Sequence, residues 1–356
     1  MTTSSEIAVP VSKPWASVIV LNYNGAFWLE RCLRSLREQT VFHRLEIIIA
    51  DNDSPDRSAA LAKELIAGWS NARVLEHGAN LGFCEGNNRA ARTAQGKYLF
   101  FLNNDTWLEA QCLENLLATV EKSGAQAGTP LMLNYGDNSV QSGGAGGFDI
   151  FGLMSETAPG SVTAEIFMPG GCSYLIERNL FEQIGGFDRE FYMYADEYDL
   201  SWRVWIAGAR ALFVPAARLH HRGAADVNPA GGEARVEIRT THSKRFYSNR
   251  NGLLLLLKDC EHVLLLLAVF QLLLLTAESL AALILLRDRS FWKRAYWDAF
   301  ASCWALRRHI FEQRRQICRY RKRSDWQMLR FLRLRLNRWG EWQSIRRHGL
   351  PKTTAR

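Results

Sequence analysis

Two clusters of side chains in this sequence have the composition of a reaction centre. The run Tyr194-Ala195-Asp196-Glu197-Tyr198-Asp199-Leu200 puts three acids into four residues. Carboxylates that close repel one another, so a purely structural role is costly without partners. A helix N-terminus would partly stabilise the group, and Asp199 and Arg203, four residues apart, can pair. The second cluster is Asn103-Asn104-Asp105, which ends the apolar run from Tyr98 to Leu102. Such a run suits a strand covered on both faces, and its C-terminal end is where open α/β sheets bind ligands. An acid there can coordinate a divalent cation, and a cation there can carry the diphosphate of a nucleotide. Taken alone, the run reads more simply as a strand and an Asn/Asp turn capping a helix that starts near Leu108.

Elements of alternating type surround these clusters. Ser17 to Leu21 reads as a strand and Asn22-Tyr23-Asn24-Gly25 as a turn; Phe27 to Gln39 follows with helical spacing at Leu29, Cys32, Leu33 and Leu36. Leu45 to Ala50 is a second strand, and Asp51-Asn52-Asp53-Ser54-Pro55 caps a helix from about Arg57 to Trp69. Val74-Leu75 is a short third strand, and Asn80 to Asn88 opens a helix through Thr93. The alternation predicts an α/β fold with a mostly parallel sheet and helices on both faces. A dinucleotide fingerprint needs three glycines after the first strand, and only Gly25 stands there. The chain instead places Asn22 and Tyr23, then Asp51 and Asp53, then Asn103 and Asp105 after successive strands, a row that can hold a base and a ribose.

The 356 residues, 47% hydrophobic and 22% charged, have the composition of a folded protein. The net charge of +8 is unevenly spread: residues 287–356 carry 20 Lys/Arg against 5 Asp/Glu, a balance of +15, and residues 1–286 carry 24 against 31, a balance of −7. Seven cysteines without a CxxC pair argue against a zinc site or a disulfide framework and for a reducing compartment. Residues 1–15 read as a disordered lead-in with no apolar signal, which keeps the catalytic part cytoplasmic.

Five blocks in order resemble a family-2 glycosyltransferase of the GT-A fold, in its rhamnosyltransferase-type branch: SVIVLNYNG, EIIIADNDSPD, NLGFCEGNNRAARTAQGKYLFFLNND, GGCSYLIERNLFEQIGGFDREFYMYADEYDLSWRV and VPAARLHH. The resemblance runs from Ser17 to about Lys258 and sets the catalytic domain at 16–251. It implies that Asp51 accepts from a pyrimidine base, with Asn22, Tyr23 and Asp53 in the same pocket, and that Asn80, Gly82, Gly86 and Asn87 approach the nucleotide. Asn103-Asn104-Asp105 falls at the family's DxD position, with Asp105 on Mg²⁺ or Mn²⁺, Asn103 replacing the first acid, and His221 a second ligand of the cation. Arg222, Lys244, Arg245, Arg250 and Asn251 form a basic region able to close over the phosphates.

Gly170, Gly171, Trp202 and Arg203 are expected on the acceptor side. The family's Glu-Asp-x-Asp appears here as Asp-Glu-x-Asp, so Glu197 takes the base role, supported by Asp196, with Asp199 in the catalytic group. The implied reaction is an inverting, in-line displacement, and a hydrolytic pair of acids would need neither the polar row nor a metal. The implied donor is dTDP-L-rhamnose and the acceptor a polyprenyl-linked or other glycolipid saccharide of a cell-surface polysaccharide. Alternatives are a UDP-sugar, such as a galactofuranose donor, or a non-catalytic membrane-anchored scaffold of the same fold.

Residues 252–356 change character. Leu253 to Leu257 and Val263 to Leu286 are Leu-rich, and the second run could span a bilayer. A single span would carry the +15 tail outside, so a monotopic or re-entrant helix is expected at the cytoplasmic face of a bacterial inner membrane. Trp292, Tyr296, Trp297, Trp304, Trp326, Trp339 and Trp342, interleaved with Arg and Lys, fit an interface with anionic lipids. No nucleic-acid motif accompanies them.

Overall fold

The computed structural model describes residues 13–223, 239–334 and 336–354. Most of the expected lead-in lies outside the described residues, and Trp15 at its end is tied down by a backbone hydrogen bond to Arg44. Strands β1 (Ala16–Asn22), β2 (Leu45–Asp51), β3 (Ala72–Glu76) and β4 (Tyr98–Asn103) lie side by side and parallel, in the order β4-β1-β2-β3. Helices α1 (Ala26–Arg37), α2 (Ser58–Leu65) and α3 (Gly82–Ala91) cross between them. Leu29, Cys32, Leu33 and Leu36 form the buried stripe of α1, as their spacing requires. The second helix ends at Leu65, short of Trp69, because the chain turns through Gly68 at φ +82°.

The segment after β4 departs from the simpler reading of the sequence. Thr106–Leu108 is a short strand, β5, and the next helix, α4 (Cys112–Ser123), begins four residues later than Leu108. The sheet continues through β6 (Ala127–Asn134), followed by four short strands: β7 (Val140–Ser142), β8 (Ala145–Phe148), β9 (Met154–Glu156) and β10 (Ala164–Glu165). Next come β11 (Ser173–Glu177), α5 (Arg178–Gln183), α6 (Asp196–Ile206) and β12 (Ala211–His221). The sheet order is β10-β12-β6-β11-β4-β1-β2-β3, with β5 on β12 and β7 on β6. Among the long strands β11 alone runs antiparallel to its neighbours β4 and β6, while β6 and β12 pair parallel. The sheet is therefore mostly parallel, and its C-terminal edge gathers Asn22, Asp51, Asn103, Asn134 and His221.

Helix α7 (His242–Asp259) runs straight through the 251/252 boundary. Leu253, Leu254, Leu255 and Leu256 lie in the protein core, so the first Leu-rich run packs against protein and not lipid. Helix α8 (Leu265–Leu285) packs on α7 with one face only. Beyond it come α9 (Arg289–Trp292), a π-helical turn at Lys293–Trp297, α10 (Asp298–Ala305), α11 (Arg307–Tyr320), α12 (Asp325–Met328) and α13 (Asn337–His348). A final strand, β14 (Lys352–Thr354), pairs with β13 (Arg239–Thr241) just ahead of α7. All seven cysteines are free thiols, as expected.

Candidate active site

Register places the first polar pair. Asn22 and Asp51 are opposite each other at the ends of β1 and β2, and Asn22 Nδ2 donates to Asp51 Oδ1 at 2.8 Å and to Ser58 Oγ at 2.7 Å. Ser54 donates twice more to Asp51, from its backbone N–H at 2.9 Å and its hydroxyl at 2.7 Å. Of the roughly four acceptor positions of a carboxylate, three are thus filled from within the chain, leaving about one for a ligand. Ser54 is spent on this turn and does not cap α2, whose first N–H is met by Asp56. Tyr23 and Asp53 stand exposed at the same strand ends. Asn104 closes the row, donating to Asn22 Oδ1 at 2.8 Å.

The loop into α3 approaches from one side. Asn80 Oδ1 accepts from the Gly82 N–H at 3.0 Å. Gly82 sits at φ +74°, and a Cβ there would meet the Tyr192 ring at 2.5 Å, so both conformation and space demand glycine. Gly86 packs on Asn52, and its carbonyl faces His77 Nε2 at 3.0 Å. Asn87 is buried, donates to Phe83 O and has an Oδ1 without a partner among the described residues.

Asp105 and His221 meet where β4 and β12 end. His221 Nε2 lies 3.5 Å from Asp105 Oδ1, and Asp105 Oδ2 accepts from the Gly223 N–H at 3.2 Å. On the other side of the ring His221 Nδ1 contacts Gln141 Oε1 at 2.8 Å, which assigns a proton to Nδ1, so a cation at Nε2 would take the place of the proton that pairs this nitrogen with Asp105. Burial draws the His221 pKa down, but the Cys172 and Asp105 groups beside it outweigh burial and raise it to about 10. Burial pushes Asp105 up, and the bond to His221 reverses this, so its pKa is lowered. An oxygen and an imidazole nitrogen converging this way fit a divalent cation such as Mg²⁺ or Mn²⁺. The Asn103 side chain lies at the adjacent strand end, and its backbone carbonyl accepts from Thr106 Oγ1 at 2.7 Å.

The acids sit on the opposite wall. Asp196 and Glu197 open α6, and a Cβ on Gly171 would come within 2.9 Å of Glu197 Oε1, so only glycine leaves room for that carboxylate. The next residue, Cys172, lies beside His221, which puts the two halves of the site on either side of one dipeptide. Gly170 packs on Met132 and donates its N–H to Thr129 Oγ1 at 3.2 Å. Burial raises the Glu197 pKa above 4.5, and burial followed by repulsion from Glu197 raises Asp196 well above 3.8. Both shifts favour the protonated form over that of two solvated acids.

Three expected site residues are drawn elsewhere. Asp199 is fully buried and accepts from Arg203 Nε at 3.0 Å, while Lys258 Nζ reaches its other oxygen. Arg203 also donates to Ile184 O at 2.8 Å. Trp202 is enclosed by Phe148 at 4.6 Å and Phe167 at 5.4 Å. These residues belong to the inner face of α6, because a helix that turns Glu197 toward the sheet edge must turn residues 199, 202 and 203 toward the core. Arg250 and Asn251 likewise point at backbone carbonyls of residues 190–194 and not at a phosphate site. Sequence reading missed Gln141 entirely, since nothing local marks a glutamine on a short strand as the partner of a histidine 80 residues away.

A mostly parallel sheet with polar side chains along its C-terminal edge, and an acid pair facing them across a glycine, is the GT-A architecture. Residues 17–185 match the family described as Glycosyl transferase family 2. An uncharacterized glycosyltransferase EpsJ of Bacillus subtilis (strain 168) is 31% identical over 110 residues, covering 31% of each chain. An N-acetylglucosaminyl-diphospho-decaprenol L-rhamnosyltransferase of Mycobacterium tuberculosis (strain ATCC 25618 / H37Rv) is 25% identical over 236 residues, covering 58% of this chain and 75% of the relative. The chain spans about a third, 30% to 34%, of the length of three curated relatives it matches at above 30% identity. Among solved structures, GalNAc-T7 with UDP, GalNAc and Mn2+ superposes with a TM-score of 0.53 at 21% identity, over 59% of this chain and 44% of that one.

Proposed function

We propose that this protein is an inverting glycosyltransferase that moves a sugar from a nucleotide-sugar donor to a lipid-linked saccharide in cell-surface polysaccharide synthesis. The observation that carries the reading is the placement of Glu197 and the Asp105–His221 pair on either side of Gly171-Cys172. A donor lying along the strand ends has its base near Asn22 and Asp51 and its diphosphate near Asp105 and His221. Asp105 and His221 would hold a divalent cation, which would supply charge neutralisation for the departing diphosphate. Glu197, its pKa raised by burial, accepts the proton of the acceptor hydroxyl as that oxygen attacks the anomeric carbon from the side away from the leaving group. One displacement inverts the configuration.

L-Rhamnose from dTDP-L-rhamnose is the first donor to test, on the resemblance of the motif blocks and the similarity to the mycobacterial rhamnosyltransferase. A UDP-sugar is the alternative. The test is a donor screen with Mn²⁺ or Mg²⁺, scored by release of nucleoside diphosphate, for wild type and Glu197→Gln. Metal-dependent release with one donor, lost in the variant, supports the reading. Donor binding without release, with membrane lipid acceptors supplied, overturns it in favour of a non-catalytic scaffold.

The location proposed is the cytoplasmic face of a bacterial inner membrane, with α8 lying in the plane of the lipid. Among the described residues α8 is the one helix long and apolar enough to cross a bilayer, with a mean hydropathy of 2.0. Three of its four polar residues face protein: Gln271 is buried, Ser279 Oγ accepts from Trp292 Nε1 at 2.7 Å, and Glu278 pairs with Arg338 at 2.8 Å, while the exposed Thr276 donates its hydroxyl to Leu272 O of the same helix at 2.8 Å. Leu266, Val269, Phe270, Leu273, Leu280 and Ile284 stand exposed at helical spacing on the other face. A helix with one face occupied by protein and the other apolar but for one hydroxyl bonded to its own backbone suits lipid on one side only. Exposed Trp297, Trp304 and Phe311, seven residues apart along the following helices, extend this seat, with anionic lipids as partners of the basic tail.

A further inference from the structure

We propose that Asn251, braced by Arg250, is the positioning residue of the base: one side-chain amide on α7 fixes the backbone turn that delivers Glu197 to the site. The inference rests on the reading of Glu197 as base. It concerns the turn from Phe191 to Ala195, where three residues that carry a Cβ adopt left-handed backbone, Tyr192 at φ 62°, Tyr194 at φ 66° and Ala195 at φ 58°. Such conformations are disfavoured for non-glycine residues and persist where surrounding structure enforces them. Ala195 is also the N-cap of α6 and has no side chain to hold the helix start.

The enforcement comes from α7. Asn251 Nδ2 donates to Phe191 O at 3.0 Å, Met193 O at 2.9 Å and Tyr194 O at 2.8 Å. Arg250 Nη2 donates to Glu190 O and to Phe191 O at 3.2 Å, and its Nε donates to Asn251 Oδ1 at 2.9 Å. The guanidinium, which has only donors, therefore decides which way round the amide sits. The remaining carbonyl, Tyr192 O, accepts from the Phe83 N–H at 2.8 Å on the nucleotide-side helix α3, and the Tyr192 ring stacks on Tyr247 of α7 at 5.4 Å. One turn thus joins the donor-side helix, the acid pair and α7.

Asn251 is fully buried, so it acts through the turn and not on a substrate. Its chemistry is hard to replace. Aspartate would set a carboxylate against three carbonyl oxygens, and an apolar side chain would take the amide donor from Met193 O and Tyr194 O while Phe191 O kept Arg250. Displacement of a catalytic group by about 1 Å costs on the order of 100-fold in rate.

The test uses the full chain in membranes, as wild type, Asn251→Asp, Asn251→Ala and Arg250→Lys. Four readouts are taken: the melting temperature, the affinity for dTDP and UDP with Mn²⁺, kcat and KM with the donor found by screening across pH, and hydrogen exchange over residues 190–200. We expect folded variants to lose about 100-fold in kcat with donor KM within about threefold, a displaced acid limb of the kcat profile, and faster exchange confined to 190–200. A folded variant with kcat within threefold of wild type overturns the proposal, as does nucleotide affinity falling in step with kcat, which would mark a general scaffold residue. Should the Asn251 variants not fold, Arg250→Lys decides by the same criteria. If wild type turns over no donor, the proposed function has failed separately, and unchanged exchange at 190–200 in the variants still overturns the positioning role while faster exchange there supports it.

Discussion

Lys258 on α7 places its ammonium on the carboxylate of Asp199 on α6, and neither side chain has any solvent exposure. Asp259 lies 3.3 Å and Asp188 3.6 Å from the same ammonium, and His309 on α11 reaches Asp188 at 2.8 Å. The helix that opens with the candidate base is thus locked by charge to the helix that begins the C-terminal region. Removing one partner of a buried pair leaves an uncompensated charge and costs about 3–5 kcal/mol. Lys258→Met is therefore expected to lower stability by about that amount in thermal or urea unfolding, and Asp199→Asn to lose activity only in proportion to the folded fraction.

The two acids at the start of α6 separate by function. Burial and then repulsion from Glu197 push the Asp196 carboxyl up and favour its neutral form, which Asp196→Asn imitates. Activity within about tenfold of wild type is expected for Asp196→Asn, and a loss of more than about 100-fold for Glu197→Gln. The kcat/KM profile should fall on the acid side with an apparent pKa above the ordinary 4.5 of a glutamate. The stability sign follows from the raised folded-state pKa of Asp196: its contribution is complete below the unfolded value of 3.8 and is lost as pH rises through the folded value. Asp196→Asn should consequently melt higher than wild type at pH 8, with the gap closing toward pH 4.

The proposed cation site has a specific second layer. Gln141 fixes the tautomer of His221 from 2.8 Å, and loss of such an orienting partner costs about 10–100-fold in metal affinity. A chelator should abolish nucleotide release, with full recovery on adding Mn²⁺. Gln141→Ala and His221→Ala should each raise the Mn²⁺ needed for half-activation by at least about tenfold, and Asp105→Asn should raise it further.

The proposed membrane seat can be tested without touching the strand-end residues. Phe270 and Leu273 are exposed on the apolar face of α8 and pack on nothing that positions the site. Burial of such a side chain in lipid contributes about 1.5–3 kcal/mol, so Phe270→Glu with Leu273→Glu should weaken sedimentation with anionic vesicles by more than about 100-fold. Release of nucleoside diphosphate from the donor, with a water-soluble acceptor supplied, should persist. Equal vesicle binding by wild type and variant would refute the in-plane seat.

Local order was set by residue pattern. The period of Leu29, Cys32, Leu33 and Leu36 and the apolar run from Tyr98 to Leu102 determined a helix and a covered strand, because side-chain direction along each element follows a fixed period. The polar residues at successive strand ends likewise determined the row at the sheet edge, since parallel strands bring equivalent ends together. What only the tertiary structure decided is which polar atoms are already engaged. Asp51 is three-quarters occupied by Asn22 and Ser54, Asp199 and Arg203 turn inward to Lys258, and Asn251 clamps a turn some 60 residues earlier in the chain. The reversed strand β11 and the partner of His221 were also beyond the sequence. Hydrogen bonds and ion pairs between residues distant along the chain leave no period behind. They depend on packing that brings α7 under the catalytic turn, and that packing is a property of the folded molecule as a whole.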